Sequence, residues 1–273
     1  MPRGRGRREH GLPTLEPGRC VLTPSPNSAA VRIGTAAWSL PRPLAGQFPG
    51  EGHQLQRYAR VLRCTEINSS FYRSHRAEVY ARWAALTPED FRFSVKLPRS
   101  ITHEARLRGS RPLLRRFLAE VAGLGLRLGV ILVQLPPSLV FEPRQLRRFA
   151  EVLAEEGCAA PVALEPRHPS WFTPAAQRAL MAARISRVAA DPALGPAAQQ
   201  PGGWLGGVRY HRWHGSPRMY WSSYTPAWLR AQAEAMRAQE PAQIERWCIF
   251  DNTAAGCALA NALELQGLVD GRP

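Results

Sequence analysis

Residues 128–136 read LGVILVQLP, a short apolar run that ends at a glutamine, a leucine and a proline. A run of this length and composition predicts a β-strand. Runs of the same kind recur along the rest of the chain, so the sequence predicts eight strands in total. The other seven begin at Val31, Cys64, Arg92, Pro161, Ser186, Gly207 and Glu245.

Segments with apolar residues at helical spacing separate most of these strands. Examples are Leu55–Leu62, Val79–Leu86, Leu113–Leu124 and Leu146–Leu153. Two further helices have clear predicted starts, because Thr173-Pro174 and Thr225-Pro226 combine a capping hydroxyl with proline at the first helical position. Strands that alternate with helices predict a parallel sheet, and eight strands are the number that closes a barrel.

The fold class predicted is therefore α/β, a single (β/α)8 TIM-like barrel. Its sixth unit is irregular, since residues 191–206 are rich in proline, glycine and alanine where a helix is expected. We expect the sixth helix to be missing or reduced. A length of 273 residues fits one such domain, and a hydrophobic fraction of 45% is enough for a substantial core.

Residues 1–30 differ in composition from the rest of the chain. They are rich in proline, glycine and arginine and have no hydrophobic periodicity, which predicts a disordered basic N-terminal arm. The barrel domain is expected to occupy residues 31–270. Five cysteines, an odd number without a C-x-x-C pair, predict free thiols in a reducing compartment. No stretch is apolar enough for a membrane span, so we expect a cytoplasmic protein without a membrane partner.

The formal charge of +15 raises the possibility of nucleic-acid binding. However, the basic residues are spread over all the predicted helices and form no single run. Lys96 is the only lysine among the 36 basic residues, and the other 35 are arginines. This skew indicates a genome that favours arginine codons, and it weakens any inference from charge to partner.

Alternation along each strand predicts which side chains face the barrel interior. Phe93 and Val95 share the apolar face of their strand, which leaves Ser94 and Lys96 on the other face. In the other strands, too, polar residues alternate with apolar ones and are predicted to face the interior. Ionisable groups are thereby predicted at the carboxyl ends of the strands, where barrel enzymes keep their active sites. They are Glu66, Lys96, Glu165, Arg167, Asp191, Arg212, His214 and Asp251.

Two interpretations of this set remain open. It is a ligand site, or it is an ion-paired plug in which Glu165 is neutralised by Lys96 or Arg167. We favour the ligand site because most of the strands end in polar residues, more than a plug requires. In that interpretation Arg167 binds a carboxylate or phosphate, and Glu165 moves a proton or binds a metal. Gly215 and the Asn252-Thr253 turn are candidates for phosphate binding.

Several longer motifs resemble the YecE-like family (domain of unknown function 72) over residues 31–265. They are CTEINSSFYR (64–73), RWAALTPEDFRFSVKLPRSITH (82–103), LGVILVQLPPS (128–138), EPRHPSWF (165–172), RWHG (212–215) and FDNTAAGCALANA (250–262). The first strand departs from the family pattern, with GTAAWS in place of a GTSGW-type run. The resemblance implies a TIM-barrel-like fold without a settled activity.

We therefore expect an uncharacterised YecE-like barrel protein that binds or converts a small anionic substrate, a carboxylate or a phosphate, at the barrel mouth. The predicted catalytic residues are Glu66, Lys96, Glu165 and His214. The predicted substrate-binding residues are Asn68, Gln134, Arg167, Arg212, Asp251 and Asn252. No cofactor is identified and no metal ligands are assigned, although a Mg²⁺ or Mn²⁺ site remains possible. The alternative is a nucleic-acid-binding or repair-associated barrel, without catalysis or with metal-dependent catalysis.

Overall fold

Ten strands form one sheet in the computed structural model, which describes residues 31–238 and 244–271. The predicted arm over residues 1–30 lies outside the described residues. In chain order the strands are β1 (Val31–Ala36), β2 (Cys64–Ile67), β3 (Arg92–Lys96), β4 (Leu128–Gln134), β5 (Val162–Glu165), β6 (Ser186–Arg187), β7 (Ala189–Asp191), β8 (Gly202–Gly203), β9 (Arg209–Trp213) and β10 (Arg246–Phe250). They are hydrogen-bonded in the order β7-β9-β10-β1-β2-β3-β4-β5-β6-β8.

This sheet is nearly closed into a barrel. Strand β6 pairs with β5 at one end of the order, and β7 pairs with β9 at the other end. Only Val188 separates β6 from β7 in the chain. One continuous stretch of polypeptide therefore contacts both ends of the sheet, and the fold is an α/β fold with a barrel-like sheet.

The structure has ten strands where the sequence predicts eight. Each predicted strand is present and begins within two residues of its predicted start. The count differs because the sixth strand is split at Val188 and because β8 pairs antiparallel with β6. Two glycines allow this extra pairing. Gly203 has a φ of +66°, and a Cβ there would approach the Ile185 carbonyl oxygen to 2.4 Å.

Seven α-helices are found in the described residues, and they follow the predicted amphipathic segments and caps. They are α1 (Gln54–Ala59), α2 (Ala77–Ala85), α3 (Arg111–Val121), α4 (Pro143–Glu155), α5 (Pro174–Ala182), α6 (Pro226–Ala238) and α7 (Cys257–Val269). The Thr173 side chain accepts a hydrogen bond from the Ala176 amide and caps α5. Between β7 and β9 the chain has only a 3-10 turn at Pro196–Ala198 and strand β8.

The two faces of the sheet carry separate hydrophobic clusters. The larger cluster joins the outer face to the helices, with Phe93, Val95 and Leu164 among its members. The smaller one fills the interior and contains Cys64, Leu132, Ala163, Tyr210 and Trp247. Interior packing is tight enough to require a glycine, because a Cβ at Gly129 would lie 2.5 Å from the Trp247 ring. The apolar cluster fills one part of the barrel interior. We therefore expect the inward-facing polar side chains at the end of the interior that it does not fill.

Candidate functional site

Arg212 on β9 is the centre of a buried group of charges inside the sheet. Its Nε and Nη2 atoms lie 2.9 and 2.7 Å from the two carboxylate oxygens of Glu66. Its Nη1 donates to Glu165 at 2.6 Å, and Nη2 also donates to Asp251 at 2.9 Å. The Arg212, Glu66 and Glu165 side chains are completely inaccessible to solvent. All three guanidinium nitrogens are thus engaged by carboxylates.

Strand parity explains why these side chains meet. Glu66 alternates with Cys64 on β2, and Glu165 alternates with Ala163 on β5. Cys64 and Ala163 both belong to the interior hydrophobic cluster, so the two glutamates continue the interior face toward the carboxyl ends of their strands. Asp251 directly follows β10.

His214, just beyond β9, extends the group. Its Nδ1 lies 3.0 Å from Asp251 Oδ2, and an ionised carboxylate only accepts, so Nδ1 carries a hydrogen. Its Nε2 lies 2.9 Å from Glu165 Oε1 and 2.8 Å from an Arg167 nitrogen. With a proton, Nε2 donates to Glu165, and without one it accepts from Arg167. We define the Arg212 cluster as Arg212, Glu66, Glu165, Asp251 and His214.

Burial and charge act in opposite directions on the carboxylates of this cluster. Burial alone raises the pKa of Glu165, but the Arg167 and Arg212 guanidinium groups outweigh it and hold this pKa well below its usual range. Burial likewise raises the pKa of Asp251, and Arg212 with His214 reverses the effect, so that its pKa is lowered. Both groups are therefore ionised carboxylates at neutral pH, and both form ion pairs with Arg212.

Lys96, the last residue of β3, faces the same interior but lacks such partners. The residue is only 6% exposed, and its ammonium lies 4.3 Å from the centre of the Phe71 ring. Within residues 31–238 and 244–271 the ammonium makes no hydrogen bond and no ion pair. Burial and then the Arg212 charge lower its pKa from 10.5 to about 8, against the opposing pull of nearby carboxylates.

Three other predicted residues lie apart from this network. The Asn252 amide nitrogen donates to the Ser222 carbonyl and to Asn261, while its buried Oδ1 has no partner in the described residues. Asn68 is half-buried, and its Oδ1 likewise has no partner there. Gln134 is half-buried at the end of β4. No hydrogen bond joins any of these three side chains to the Arg212 cluster in the described part of the chain.

Two further predictions at the strand ends concern Asp191 and Gly215. The Asp191 carboxylate accepts from the Tyr224 hydroxyl at 2.6 Å and makes no hydrogen bond to the Arg212 cluster in the described residues. It lines a cavity of about 300 Å³ between β7, β9 and α6, on the side where the sixth helix is absent. The Gly215 amide donates to the same Tyr224 hydroxyl at 2.9 Å, and α7 begins only at Cys257. The Gly215 amide is thus engaged within the protein, and the Asn252-Thr253 turn lies before the start of α7, so phosphate binding there stays a prediction.

Sequence reasoning did not single out Tyr210 or Phe71. The Tyr210 hydroxyl lies 3.0 Å from Glu66 Oε2 and 2.8 Å from Ser94 Oγ, below the Arg212 cluster. Tyr210 has the same strand parity as Arg212, so the alternation argument would have found it. Phe71 is on the loop after β2, and no periodic signal in the sequence places its ring beneath the Lys96 ammonium.

The carboxylates of the cluster do not form a metal site in the structure. Glu66, Glu165 and Asp251 all bind the Arg212 guanidinium, which occupies the position between them. In the described ranges no group of three or more acidic, histidine or cysteine side chains is arranged to hold a metal ion. None of the described helices has the length and apolar character needed to cross a membrane.

Fold and site together define a class: an α/β protein with a barrel-like sheet and a buried ionic cluster at the carboxyl ends of its strands. The chain belongs to the DUF72 family, described as a protein family of unknown function, whose sequence profile matches residues 32–273. This confirms the resemblance seen in the sequence motifs.

Relatives and solved structures agree with this assignment. The chain is 34% identical to the UPF0759 protein YecE of Escherichia coli strain K12 over 142 residues, 52% of this chain and 50% of that protein. The match thus spans about half the length of this curated relative. Crystal structures of DUF72 family proteins from Thermotoga maritima MSB8 and Enterococcus faecalis V583 each superpose with a TM-score of 0.71. They are 24% and 21% identical, cover 88% of this chain and are themselves covered to 99% and 96%. At this identity they show the fold alone.

Proposed function

We propose that this protein binds, or binds and converts, a small anionic ligand at the carboxyl end of the barrel-like sheet. Lys96 and Arg167, which we call the outer cations, supply the positive charge. The observation that carries the proposal is the Lys96 ammonium, which is buried without an ion pair or a hydrogen bond in the described residues. A buried, unpaired charge is costly, and an external anion offsets that cost.

The Arg212 cluster has a different role in this proposal. Its guanidinium is saturated by three carboxylates, so we assign Arg212, Glu66 and Asp251 to holding the site together. This amounts to an ion-paired plug below a binding layer. Of the plug considered in the sequence analysis, the structure contains the pair of Glu165 with Arg167, with 2.6 Å between Glu165 Oε1 and Arg167 Nη2.

Formal charge supports an anion as the ligand. Three carboxylates face three cations, and with neutral His214 these charges balance. The groups concerned are Glu66, Glu165, Asp251, Lys96, Arg167 and Arg212. Arg212 is bound by all three carboxylates, whereas Lys96 has no ion pair in the described residues, so a bound anion would supply one. His214 Nε2 lies 2.9 Å from Glu165 Oε1, and these two side chains are the pair we propose for moving a proton if the ligand is converted.

The alternative of nucleic-acid binding has less support. Several arginines of α3 and α4 are paired with glutamates, which reduces the free basic surface on that side of the molecule. These pairs are Arg111 with Glu155 and Glu156, Arg115 with Glu156, Arg116 with Glu120, and Arg148 with Glu151. We propose the small anion as the partner on this basis.

Melting experiments with simple anions test the proposal. Inorganic phosphate and succinate are added to the full chain at constant ionic strength, with chloride as the reference salt. A hundredfold excess over Kd stabilises by about 2.7 kcal/mol, a Tm increase of roughly 5 °C. Lys96→Met and Arg167→Met should lose this increase. Arg116→Met, which removes an exposed ion-paired arginine, should keep it. Equal shifts in the wild type and in Lys96→Met would refute the proposed site.

We also propose that the sheet corresponds to an eight-stranded (β/α)8 barrel with an interrupted sixth strand. Val188, between β6 and β7, donates from its amide to the Leu164 carbonyl at 2.9 Å, so pairing with β5 continues through the break. On this assignment β6 and β7 form one strand, and β8 is an addition outside the barrel. A cytoplasmic location is proposed as well, because the four cysteines of the described residues are free thiols.

A further inference from the structure

Lys96 is chemically unique in this chain. It is the only lysine, so its side chain and the chain's own α-amino group are the only amines in the molecule. All the other cationic side chains that meet the interior carboxylates are guanidinium or imidazole groups. An amine forms an imine with a carbonyl carbon, whereas a guanidinium does not act as such a nucleophile in proteins.

The structure fixes the backbone of Lys96 and leaves its nitrogen uncommitted. Ser70 Oγ lies 2.7 Å from the Lys96 carbonyl oxygen and 2.9 Å from that of Ile67, which ties the end of β3 to the loop after β2. The same loop supplies Phe71, over whose ring the ammonium lies. No acceptor in the described residues takes a hydrogen bond from the nitrogen. After proton loss its lone pair is therefore free to attack.

Burial and the Arg212 charge also favour the neutral amine. With a pKa of about 8, about one Lys96 side chain in ten is an amine at pH 7. An ordinary lysine, with a pKa near 10.4, has roughly one in a few thousand. Three carboxylates act against this shift, namely Glu66, Asp251 and Glu165. All three are hydrogen-bonded to Arg212, whose own charge acts on Lys96 in the opposite direction, and burial adds to it.

We infer that Lys96 is the nucleophile for a small aldehyde or ketone that carries an anionic group, and that the two form a Schiff base at the barrel mouth. The inference rests on the proposed function, because Arg167 holds the anionic group of the carbonyl compound. The substrate class is thus an oxo acid or a carbonyl phosphate. Both share an electrophilic carbon close to a negative charge.

The reaction balances without any further reagent. The ammonium first gives a proton to water, and the amine lone pair then forms a carbon–nitrogen bond while the carbonyl π bond breaks. The carbinolamine oxygen leaves as water, carrying two protons. The net change converts an ammonium and a carbonyl into an iminium and water, with no proton gained or lost overall. His214 and Glu165 are the nearby pair that transfers protons between these steps.

Reductive trapping tests the inference. The full chain is incubated with sodium borohydride and one of three probes: pyruvate, dihydroxyacetone phosphate, or the uncharged propanal. Intact mass and peptide mapping locate any adduct. We expect a reduced adduct at Lys96 with pyruvate or dihydroxyacetone phosphate, and which of the two reacts distinguishes the oxo acid from the carbonyl phosphate. Arg167→Met should lower adduct formation with the reactive anion by about tenfold, the effect of losing one charge-assisted hydrogen bond, and should leave propanal unaffected.

Lys96→Arg separates this inference from the proposed function. The variant keeps the positive charge but has no amine at that position. It should still melt at higher temperature with phosphate or succinate, and it should form no adduct within the barrel. An absence of adducts at Lys96 across the three probes would overturn the Schiff base and leave anion binding standing. Adducts confined to the α-amino group would overturn it in the same way.

Discussion

Arg212 and Lys96 point into the same end of the barrel-like sheet, yet the structure treats the two cations in opposite ways. Arg212 is fully buried and binds three carboxylates, whereas Lys96 is almost as buried and binds none in the described residues. Burial of a charge is affordable when pairing and hydrogen bonds replace the lost water. The saturated cation therefore belongs to the scaffold, and the unpaired cation identifies where an external group is expected.

Of the variants that test this contrast, Arg212→Met should have the largest effect on the free energy of unfolding. The change leaves three buried carboxylates without their common partner, and breaking a buried ion pair of this kind costs ~3–5 kcal/mol. Urea unfolding followed by tryptophan fluorescence measures the loss. Arg116→Met is the control, since its exposed pair with Glu120 is worth about 0.5 kcal/mol or less. A loss below about 1 kcal/mol in Arg212→Met would contradict a structural role for the cluster.

Lys96→Met should change stability in the opposite direction. The folded protein holds the Lys96 proton less tightly than the unfolded chain does, with a pKa of about 8 against 10.5. The wild type therefore carries a penalty that is fully present below pH 8, and that disappears as the pH rises toward 10.5. At about 1.4 kcal/mol per tenfold change the penalty is at most roughly 3 kcal/mol. Removal of the ammonium should stabilise the protein by up to that amount at pH 7.

The pH dependence distinguishes this effect from ordinary repacking by methionine. Unfolding free energies of the wild type and of Lys96→Met are compared at pH 7 and at pH 10.5. The stability advantage of the variant should shrink over this range, because the wild type loses its penalty while groups common to both proteins cancel. An advantage that stays constant with pH would show that packing, and not the buried charge, sets the difference.

The sequence alone is sufficient to predict that Lys96 and Arg212 both face the interior, because this depends only on strand periodicity. Alternation along β3 and β9 places Lys96 and Arg212 inside the sheet, because a strand turns successive side chains to opposite faces. Strand alternation does not predict which of the two cations the carboxylates bind. That choice depends on the planar guanidinium, which binds three carboxylates at once, and on distances between strands that are remote in sequence.

Strand alternation stops being informative where the strands end. Asp191 and Asn252 stand at or just after the ends of their strands, and their side chains form hydrogen bonds to Tyr224 and Asn261. Parity has no meaning once the backbone leaves the extended conformation. The extra strand β8 also depends on a close backbone approach at Gly203, which a pattern of apolar residues does not reveal.

The smallest expected effect concerns Tyr210, at the boundary between the interior apolar cluster and the Arg212 cluster. Its buried hydroxyl lies within hydrogen-bond distance of both Glu66 Oε2 and Ser94 Oγ. Tyr210→Phe should cost about 1 kcal/mol, since Glu66 keeps both of its bonds to Arg212 and is not left unpaired. A double-mutant cycle with Ser94→Ala, read by urea unfolding, measures the hydroxyl–hydroxyl coupling directly. A loss of unfolding free energy as large as that in Arg212→Met would mean that Tyr210 belongs to the Arg212 cluster. The cluster would then extend into the apolar interior. The anion-dependent increase in Tm should survive in Tyr210→Phe, because the outer cations do not contact this hydroxyl.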